Sequence, residues 1–194
     1  MRGRHWLAYF FDVIEKEYEK RGSNNTEWSD KEWTEFLGLI MQRVAAKINC
    51  WVAQRRPDDK ENSYEWLNID AMFFEDYEYA INDAKEKYDP FVLPRAIVEL
   101  ENSYDVDKIT YCVWKILCIR SSIRVLICYQ ESFDKIEKLK GHLESIIWEK
   151  GLMKGEDSDL LILIGDEASN SDISWNDYYK VYEWRGDKLL KIEI

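Results

Sequence analysis

Apolar residues in this chain recur at two spacings, one typical of helices and the other of strands. Intervals of three and four residues place one apolar face on a helix, and they predict helices at 5–20, 29–48, 106–117 and 132–150. The second helix begins with Ser29-Asp-Lys-Glu32. This tetrapeptide fits a capping box, in which the Ser oxygen accepts from one free backbone N–H and the Glu reaches back to another. Gly151 is placed to end the last of these helices.

Short apolar runs bounded by polar or turn residues predict β-strands. Such runs occupy 64–75, 96–101, 123–129, 160–164, 178–184 and 189–194. Arg185-Gly-Asp-Lys188 is a turn between the last two, which predicts a C-terminal antiparallel hairpin at the edge of a sheet. Because strands and helices are interleaved, the pattern predicts an α/β protein with a mixed β-sheet flanked by helices on both faces.

The domain organisation follows from length and composition. A chain of 194 residues is long enough for one domain with a substantial core, and 46% hydrophobic and 34% charged residues are typical of a globular protein. We find no internal repeat and no low-complexity segment. We therefore expect a single domain over 1–194, with a helical N-terminal part at 1–60 and an α/β core at 61–194.

The expected compartment is the cytoplasm. No apolar run approaches the length of a membrane span, which argues against a membrane partner. The basic N-terminus is not followed by an uninterrupted apolar run, so no signal peptide is expected. The four cysteines have no CxxC spacing and lie within apolar runs, as reduced core residues do.

Charge is unevenly distributed along the chain. The net charge of −11 argues against loose binding of nucleic acid by the whole surface. However, residues 1–60 carry 11 Lys and Arg against 10 Asp and Glu, whereas residues 61–194 carry 16 against 28. The first part contains a basic group that could hold nucleic-acid phosphates, or that could equally be a solvated helix end and loop. Its members include Arg43, Lys47, Arg55 and Arg56.

Two carboxylates lie at the end of an apolar run, in Ala96-Ile-Val-Glu-Leu-Glu101. Residues two apart on a strand share one face, so Glu99 and Glu101 point the same way and repel each other. A hard divalent cation would remove that cost, because it takes carboxylate oxygens as ligands. Asp70, the one acid in another strand-like run, is the candidate third ligand. The alternative is that Glu101 begins the next turn and Glu99 pairs with a basic neighbour.

The order of these elements resembles the PD-(D/E)XK superfamily, the restriction-endonuclease-like fold. A strand with Asp70 is followed by a strand with Glu99-Leu-Glu101, a helix and the strand Ile123-Arg-Val-Leu-Ile-Cys-Tyr129. In that family an Asp on one strand and an acid-x-Lys on the next bind the metal and position the water. This chain is similar to the Glu-x-Glu variant and to uncharacterised proteins with that fold. The resemblance covers about residues 64–130.

The resemblance implies a nuclease that hydrolyses phosphodiesters of DNA or RNA with Mg²⁺ or Mn²⁺. Asp70 and Glu99 would be metal ligands, and Glu101 a third ligand or a water-positioning group. The usual motif Lys is replaced by Glu101, so Lys115 of the following helix would orient the water or stabilise the transition state. A solvated helix Lys is the ordinary alternative for Lys115. Glu15 or Glu19 on the first helix could supply a further acid.

Two alternatives belong to other functional classes. The first is a non-catalytic protein on the same fold, which acts as a protein- or nucleic-acid-binding module and is favoured by the missing motif Lys and the acidic total. The second is a regulatory or defence-associated partner protein that uses its aromatic surface. Fold resemblance does not decide among the nuclease and these two alternatives, because one fold hosts many functions. A homodimer or a protein partner is compatible with each of them.

Overall fold

The computed structural model describes residues 2–21, 28–54, 69–75, 93–169 and 174–193. The described residues form one seven-stranded mixed sheet flanked by helices. The helices are α1 (Gly3–Arg21), α2 (Asp30–Lys47), α3 (Val106–Leu117), α4 (Phe133–Glu149) and α5 (Trp175–Tyr178). The strands are β1 (Cys50–Gln54), β2 (Ala71–Glu75), β3 (Ala96–Glu101), β4 (Ile123–Gln130), β5 (Asp159–Asp166), β6 (Tyr179–Arg185) and β7 (Lys188–Lys191).

The strands lie in the sheet in the same order as in the chain. β1, β2 and β3 are antiparallel to one another, β3, β4 and β5 are parallel, and β5, β6 and β7 are again antiparallel. Parallel neighbours need a crossover, and α3 and α4 supply the two crossovers. The carboxyl ends of β3, β4 and β5 therefore lie along one edge of the sheet. The predicted α/β class and the mixed sheet are confirmed.

Each face of the sheet carries its own hydrophobic core. Helices α1 and α2 cover one face, where Trp6, Phe10 and Phe36 pack on inward residues of the strands such as Val98 and Val125. Helices α3 and α4 cover the other face with Ile109, Ile116, Leu139 and Leu143 over Ile97, Leu126 and Ile162. Successive residues of a strand face opposite ways. Glu99 and Glu101 therefore share the face of Ile97 and point toward α3.

The helix ends agree with most of the expected capping. Ser29 Oγ accepts from Glu32 N at 3.3 Å, and Ser29 N donates to Glu32 Oε2 at 2.9 Å, so the capping box is confirmed. Gly151, directly after the C-cap of α4, has φ +60°, a conformation in which Gly is unstrained. Ser132 is the N-cap residue of α4 but makes no side-chain capping hydrogen bond. No helix within the described ranges is both long and apolar enough to cross a membrane.

Two elements differ from the sequence prediction. β1 lies within the part expected to be helical, and it pairs with β2 in the sheet. Asn49, with φ +52°, ends α2 in a left-handed turn that leads directly into this short strand. Asp70 lies just before β2 rather than within a strand. The first part of the predicted strand, 64–68, lies outside the described residues.

The C-terminal hairpin is confirmed as the edge of the sheet. β6 and β7 pair in antiparallel register, with Arg185 opposite Lys188. Gly186 in the connecting turn has φ +68°, which favours Gly over any residue with a Cβ. The short helix α5 precedes β6 and was not predicted, because its four residues are too few for a helical period to show.

Candidate active site

Glu99 is a buried charged residue in the middle of the sheet. It lies on β3 opposite Leu126 of β4, and only 1% of its surface is exposed. The strand is buried because helices cover both faces of the sheet. A carboxylate in such a place needs a charged or hydrogen-bonding partner.

Lys115 is that partner. Its Nζ lies 2.6 Å from Glu99 Oε2, and 17% of its side chain is exposed. Lys115 belongs to the last turn of α3, which packs on the same face of the sheet. The sequence-predicted residues Glu99 and Lys115 are therefore in direct contact. The crossover that follows β3 carries the Lys back over the strand that bears the Glu.

Asp70 joins the pair from a third element. Its backbone N–H donates to Glu99 Oε1 at 3.3 Å, and its Oδ2 accepts from the backbone N–H of Leu100 at 2.8 Å. These two bonds extend the antiparallel β2–β3 pairing, in which Ala71 lies opposite Val98. The Asp70 carboxylate thus lies at the backbone of Leu100, near enough to Glu99 for its charge to act on the Glu99 carboxyl group.

Burial and neighbouring charge alter the acid–base behaviour of this group. Burial, together with the charge of Asp70, raises the pKa of Glu99 from 4.5 to about 7, although Lys115 opposes the rise. Burial lowers the pKa of Lys115, but the hydrogen bond and charge of Glu99 outweigh it and leave that pKa raised. The ammonium of Lys115 therefore stays charged beside a carboxyl group that titrates near neutral pH.

Glu101 shares the face of Glu99 but makes a different set of contacts. Its Oε1 accepts from Ser103 N at 2.8 Å, in the turn that follows β3. Its Oε2 accepts from the Cys112 thiol at 3.9 Å. Burial and the charges of Glu99 and Glu101 help raise the pKa of Cys112 to about 12, so the thiol remains a donor. Cys112 thus links Glu101 to the Asp70–Glu99–Lys115 group.

Asp70 and Glu99 are the two predicted ligands that could hold Mg²⁺ or Mn²⁺. Mg²⁺ commonly binds proteins through one or two carboxylates and keeps several waters. The third predicted ligand, Glu101, accepts from Ser103 and Cys112. Within the described ranges, no group of three or more His, Cys, Asp and Glu side chains is arranged to hold a metal ion.

The predicted nucleic-acid contacts lie elsewhere. Arg43 is 59% exposed on α2 with its Nε 3.9 Å from a carboxylate oxygen of Glu17, and Lys47 Nζ lies 2.7 Å from Asp12 Oδ2. Arg55 and Arg56 lie outside the described residues. Helix α2, which carries Arg43 and Lys47, and helix α1, which carries Asp12 and Glu17, cover the face of the sheet opposite Glu99. Glu15 and Glu19 are exposed on α1, on that same opposite side.

The sequence analysis overlooked an aromatic pair beside the site. Tyr111 and Trp114 on α3 are 57% and 48% exposed, and their ring centroids lie 5.7 Å apart. Lys115 Nζ lies 5.9 Å from the Tyr111 ring centroid. Their spacing from the buried Ile109, Val113 and Ile116 places them on the outer side of the helix.

The cysteines divide between core and surface. Cys112 and Cys128 are buried and Cys50 is partly buried, but Cys118 is exposed at the C-cap of α3. The expectation that all four are core residues is therefore wrong for Cys118. Its position directly after the last helical residue explains the difference, because helix ends project toward the surface.

Comparison with protein-family models, with curated proteins and with solved structures found no significant match to this chain.

Proposed function

We propose that this protein is a divalent-metal-dependent nuclease with a restriction-endonuclease-like fold. One observation carries the proposal. Asp70, Glu99 and Lys115 come from three separate elements, and each contacts another member of the group through bonds of 2.6 to 3.3 Å. These are the residues that the sequence pattern predicts for the site.

The arrangement of strands supports the same proposal. An antiparallel run of β1, β2 and β3 is followed by α3 and by β4, which is parallel to β3. The order of β2, β3, α3 and β4 is the one on which the resemblance to the PD-(D/E)XK superfamily rests, although Asp70 lies just before β2 rather than within it. The acids lie near the carboxyl end of β3, the usual place for ligands in parallel sheets.

Each residue has a distinct part in the proposed reaction. Asp70 and Glu99 would hold the metal, which when bound lowers the pKa of a bound water and stabilises charge on a phosphodiester. Lys115 would donate from its ammonium to the water or to the developing negative charge, in place of the Lys missing at 101. Glu101 would order the turn at Ser103 and position Cys112 against Glu99.

The proposal is tested by cleavage of labelled DNA and RNA, single- and double-stranded, with Mg²⁺, Mn²⁺ or a chelator. We expect metal-dependent cleavage that falls by roughly 100-fold or more in Lys115→Met and Glu99→Gln. Lys108→Met is the matched control, because Lys108 is exposed on the same helix. The proposal fails if no substrate is cut, or if Lys115→Met cuts as fast as Lys108→Met.

A second candidate is a non-catalytic binding protein on the same fold. The contact between Lys115 and Glu99 favours it, because the buried carboxylate already has a cationic partner at 2.6 Å. The contacts of Asp70, Glu99 and Lys115 would then only stabilise the packing of β2, β3 and α3. This candidate predicts that Mn²⁺ does not bind, and that Glu99→Gln and Lys115→Met change stability without changing any binding activity.

A further inference from the structure

An open cleft lies at the end of the molecule remote from the Asp70–Glu99–Lys115 group. It is lined by residues from three segments, His5 and Tyr9 of α1, Lys47, Ile48 and Asn49 at the end of α2, and Arg95. Arg95 directly precedes β3. Glu99 lies four residues further along this chain segment, about 13 Å away for an extended strand. The cleft is therefore separate from the candidate active site.

The lining of the cleft is made of hydrogen-bond donors. Five of its six side chains can donate, namely the imidazole of His5, the phenol of Tyr9, the ammonium of Lys47, the amide of Asn49 and the guanidinium of Arg95. None of the six lining residues is acidic. This composition is notable in a chain whose net charge is −11.

Among the described residues, each of the two cations of the cleft forms an ion pair with an exposed carboxylate. Lys47 pairs with Asp12, and Arg95 Nη1 pairs with Glu75, whose side chains are 39% and 57% exposed. Exposed pairs of this kind are worth about 1 kcal/mol or less. Asp12 also accepts a hydrogen bond from Lys16, which does not line the cleft.

In the part of the chain that the structure describes, each of the two cations that line the cleft pairs with one carboxylate, Lys47 with Asp12 and Arg95 with Glu75. A bound anion would compete with these two exposed carboxylates for the cations. The carboxyl end of α2 adds a partial negative charge nearby, which Lys47 in the last turn offsets. A tetrahedral anion can accept from donors in several directions at once, and a guanidinium can hold two of its oxygens.

We propose that this cleft binds a phosphate group, held by Lys47 and Arg95 with His5, Tyr9 and Asn49 as additional donors. The phosphate group could belong to a small phosphorylated molecule or to a nucleic-acid backbone. The chemistry of recognition is the same in both cases. The inference does not depend on nuclease activity, because the cleft and the Asp70–Glu99–Lys115 group lie at opposite ends of β3.

Calorimetric titration of the full chain with inorganic phosphate, at constant ionic strength set with chloride, tests the cleft. We expect saturable binding of phosphate that weakens about 10-fold or more in Lys47→Gln/Arg95→Gln, since both charged donors are lost. Lys16→Gln is the matched control, because Lys16 contacts the same Asp12 but does not line the cleft. Thermal unfolding without phosphate checks that each variant is folded.

A second titration, with a short single-stranded oligodeoxynucleotide, distinguishes the two sources of phosphate. Displacement of phosphate by the oligonucleotide supports a backbone site, whereas phosphate binding without displacement supports a small phosphorylated ligand. The proposal is overturned if neither probe binds. It is equally overturned if a folded Lys47→Gln/Arg95→Gln variant binds both probes as tightly as the Lys16→Gln control.

Discussion

Lys115 Nζ lies 2.6 Å from Glu99 Oε2, although Lys115 follows Glu99 by 16 positions and lies in the last turn of α3. The contact joins the last turn of α3 to the strand that α3 follows. It places one positive charge against a carboxylate that is 1% exposed. Under the proposed function Lys115 is a charged donor for the reaction, whereas in a binding protein the contact only stabilises the fold, and the two roles can be separated by measurement.

The stability of the pair can be measured by a double-mutant cycle. Lys115→Met leaves Glu99 buried without its cation, and we expect a loss of about 3 kcal/mol in the free energy of unfolding at pH 8. Glu99→Gln/Lys115→Met should recover part of that loss, because no charge remains buried. Urea unfolding of the two single variants and the double variant gives the coupling energy. A coupling energy near zero would show that the contact contributes nothing.

The raised pKa of Glu99 predicts a pH-dependent stability in the metal-free protein. Because the pKa is about 7 in the folded chain against 4.5 ordinarily, folding favours the protonated form. The favourable contribution of Glu99 to the free energy of unfolding is complete below about pH 4.5 and is lost as the pH rises through about 7. Glu99→Gln, which imitates the protonated form, should therefore gain stability relative to wild type as the pH rises from 4.5 to 7.

Glu32 provides the opposite control for that measurement. Hydrogen bonds from the backbone and side chain of Ser29 lower the pKa of Glu32. Its contribution should be present above the ordinary value of 4.5 and should be lost as the pH falls through the lowered pKa. Glu32→Gln should thus lose stability relative to wild type as the pH rises from below the lowered pKa to about 4.5. Equal slopes for the two variants would contradict the assigned environments of both residues.

Metal binding at Asp70 and Glu99 is tested by Mn²⁺. We expect a crystal soaked in Mn²⁺ to show an anomalous peak within coordination distance of both carboxylates. In solution, Asp70→Ala should strongly weaken Mn²⁺ binding, because it removes one of the two proposed carboxylate ligands. Asp134→Ala, in the exposed first turn of α4, is the control. Unchanged Mn²⁺ affinity in Asp70→Ala would exclude this metal site.

The exposed aromatic pair on α3 predicts a preference for unpaired nucleotides. Tyr111 and Trp114 present ring faces beside Lys115, and stacking of one base on an aromatic ring is worth about 1–3 kcal/mol. Trp114→Ser should weaken binding of a fluorescent single-stranded oligonucleotide while leaving thermal stability nearly unchanged. Trp148→Ser is the control, because Trp148 is 61% exposed on α4. Equal affinities of the two variants for the oligonucleotide would show that Trp114 is not part of the binding surface.

Gly165 is predicted to tolerate no side chain. A Cβ at this position would lie 2.5 Å from Cδ1 of Tyr129, whose hydroxyl accepts from Trp33 Nε1 at 2.6 Å. Gly165→Ala should destabilise the fold by about 1–3 kcal/mol through overpacking. Gly141→Ala is the contrast, because a Cβ there meets nothing within 4 Å and Ala favours the helix by about 1 kcal/mol. Chemical unfolding of both variants should therefore give shifts of opposite sign.

Local periodicity was sufficient to predict most elements of the fold. The helices α1 to α4 and the strands β3 to β7 follow from patterns of a few residues, because each element buries one face or stripe against the core. The capping box at Ser29 and the Gly after α4 likewise depend on adjacent residues only. Strand β1 was missed, since five residues directly after a long amphipathic helix carry too little pattern of their own.

The candidate site shows where sequence patterns stop being informative. The alternation of β3 alone indicated that Glu99 and Glu101 share a face and face a common partner. Only the tertiary structure decided that Lys115 contacts Glu99, that Asp70 meets the same carboxyl group, and that Glu101 turns instead to Ser103 and Cys112. These contacts depend on which face of the sheet α3 covers and on how β2 pairs with β3. They are long-range packing outcomes that no local spacing encodes.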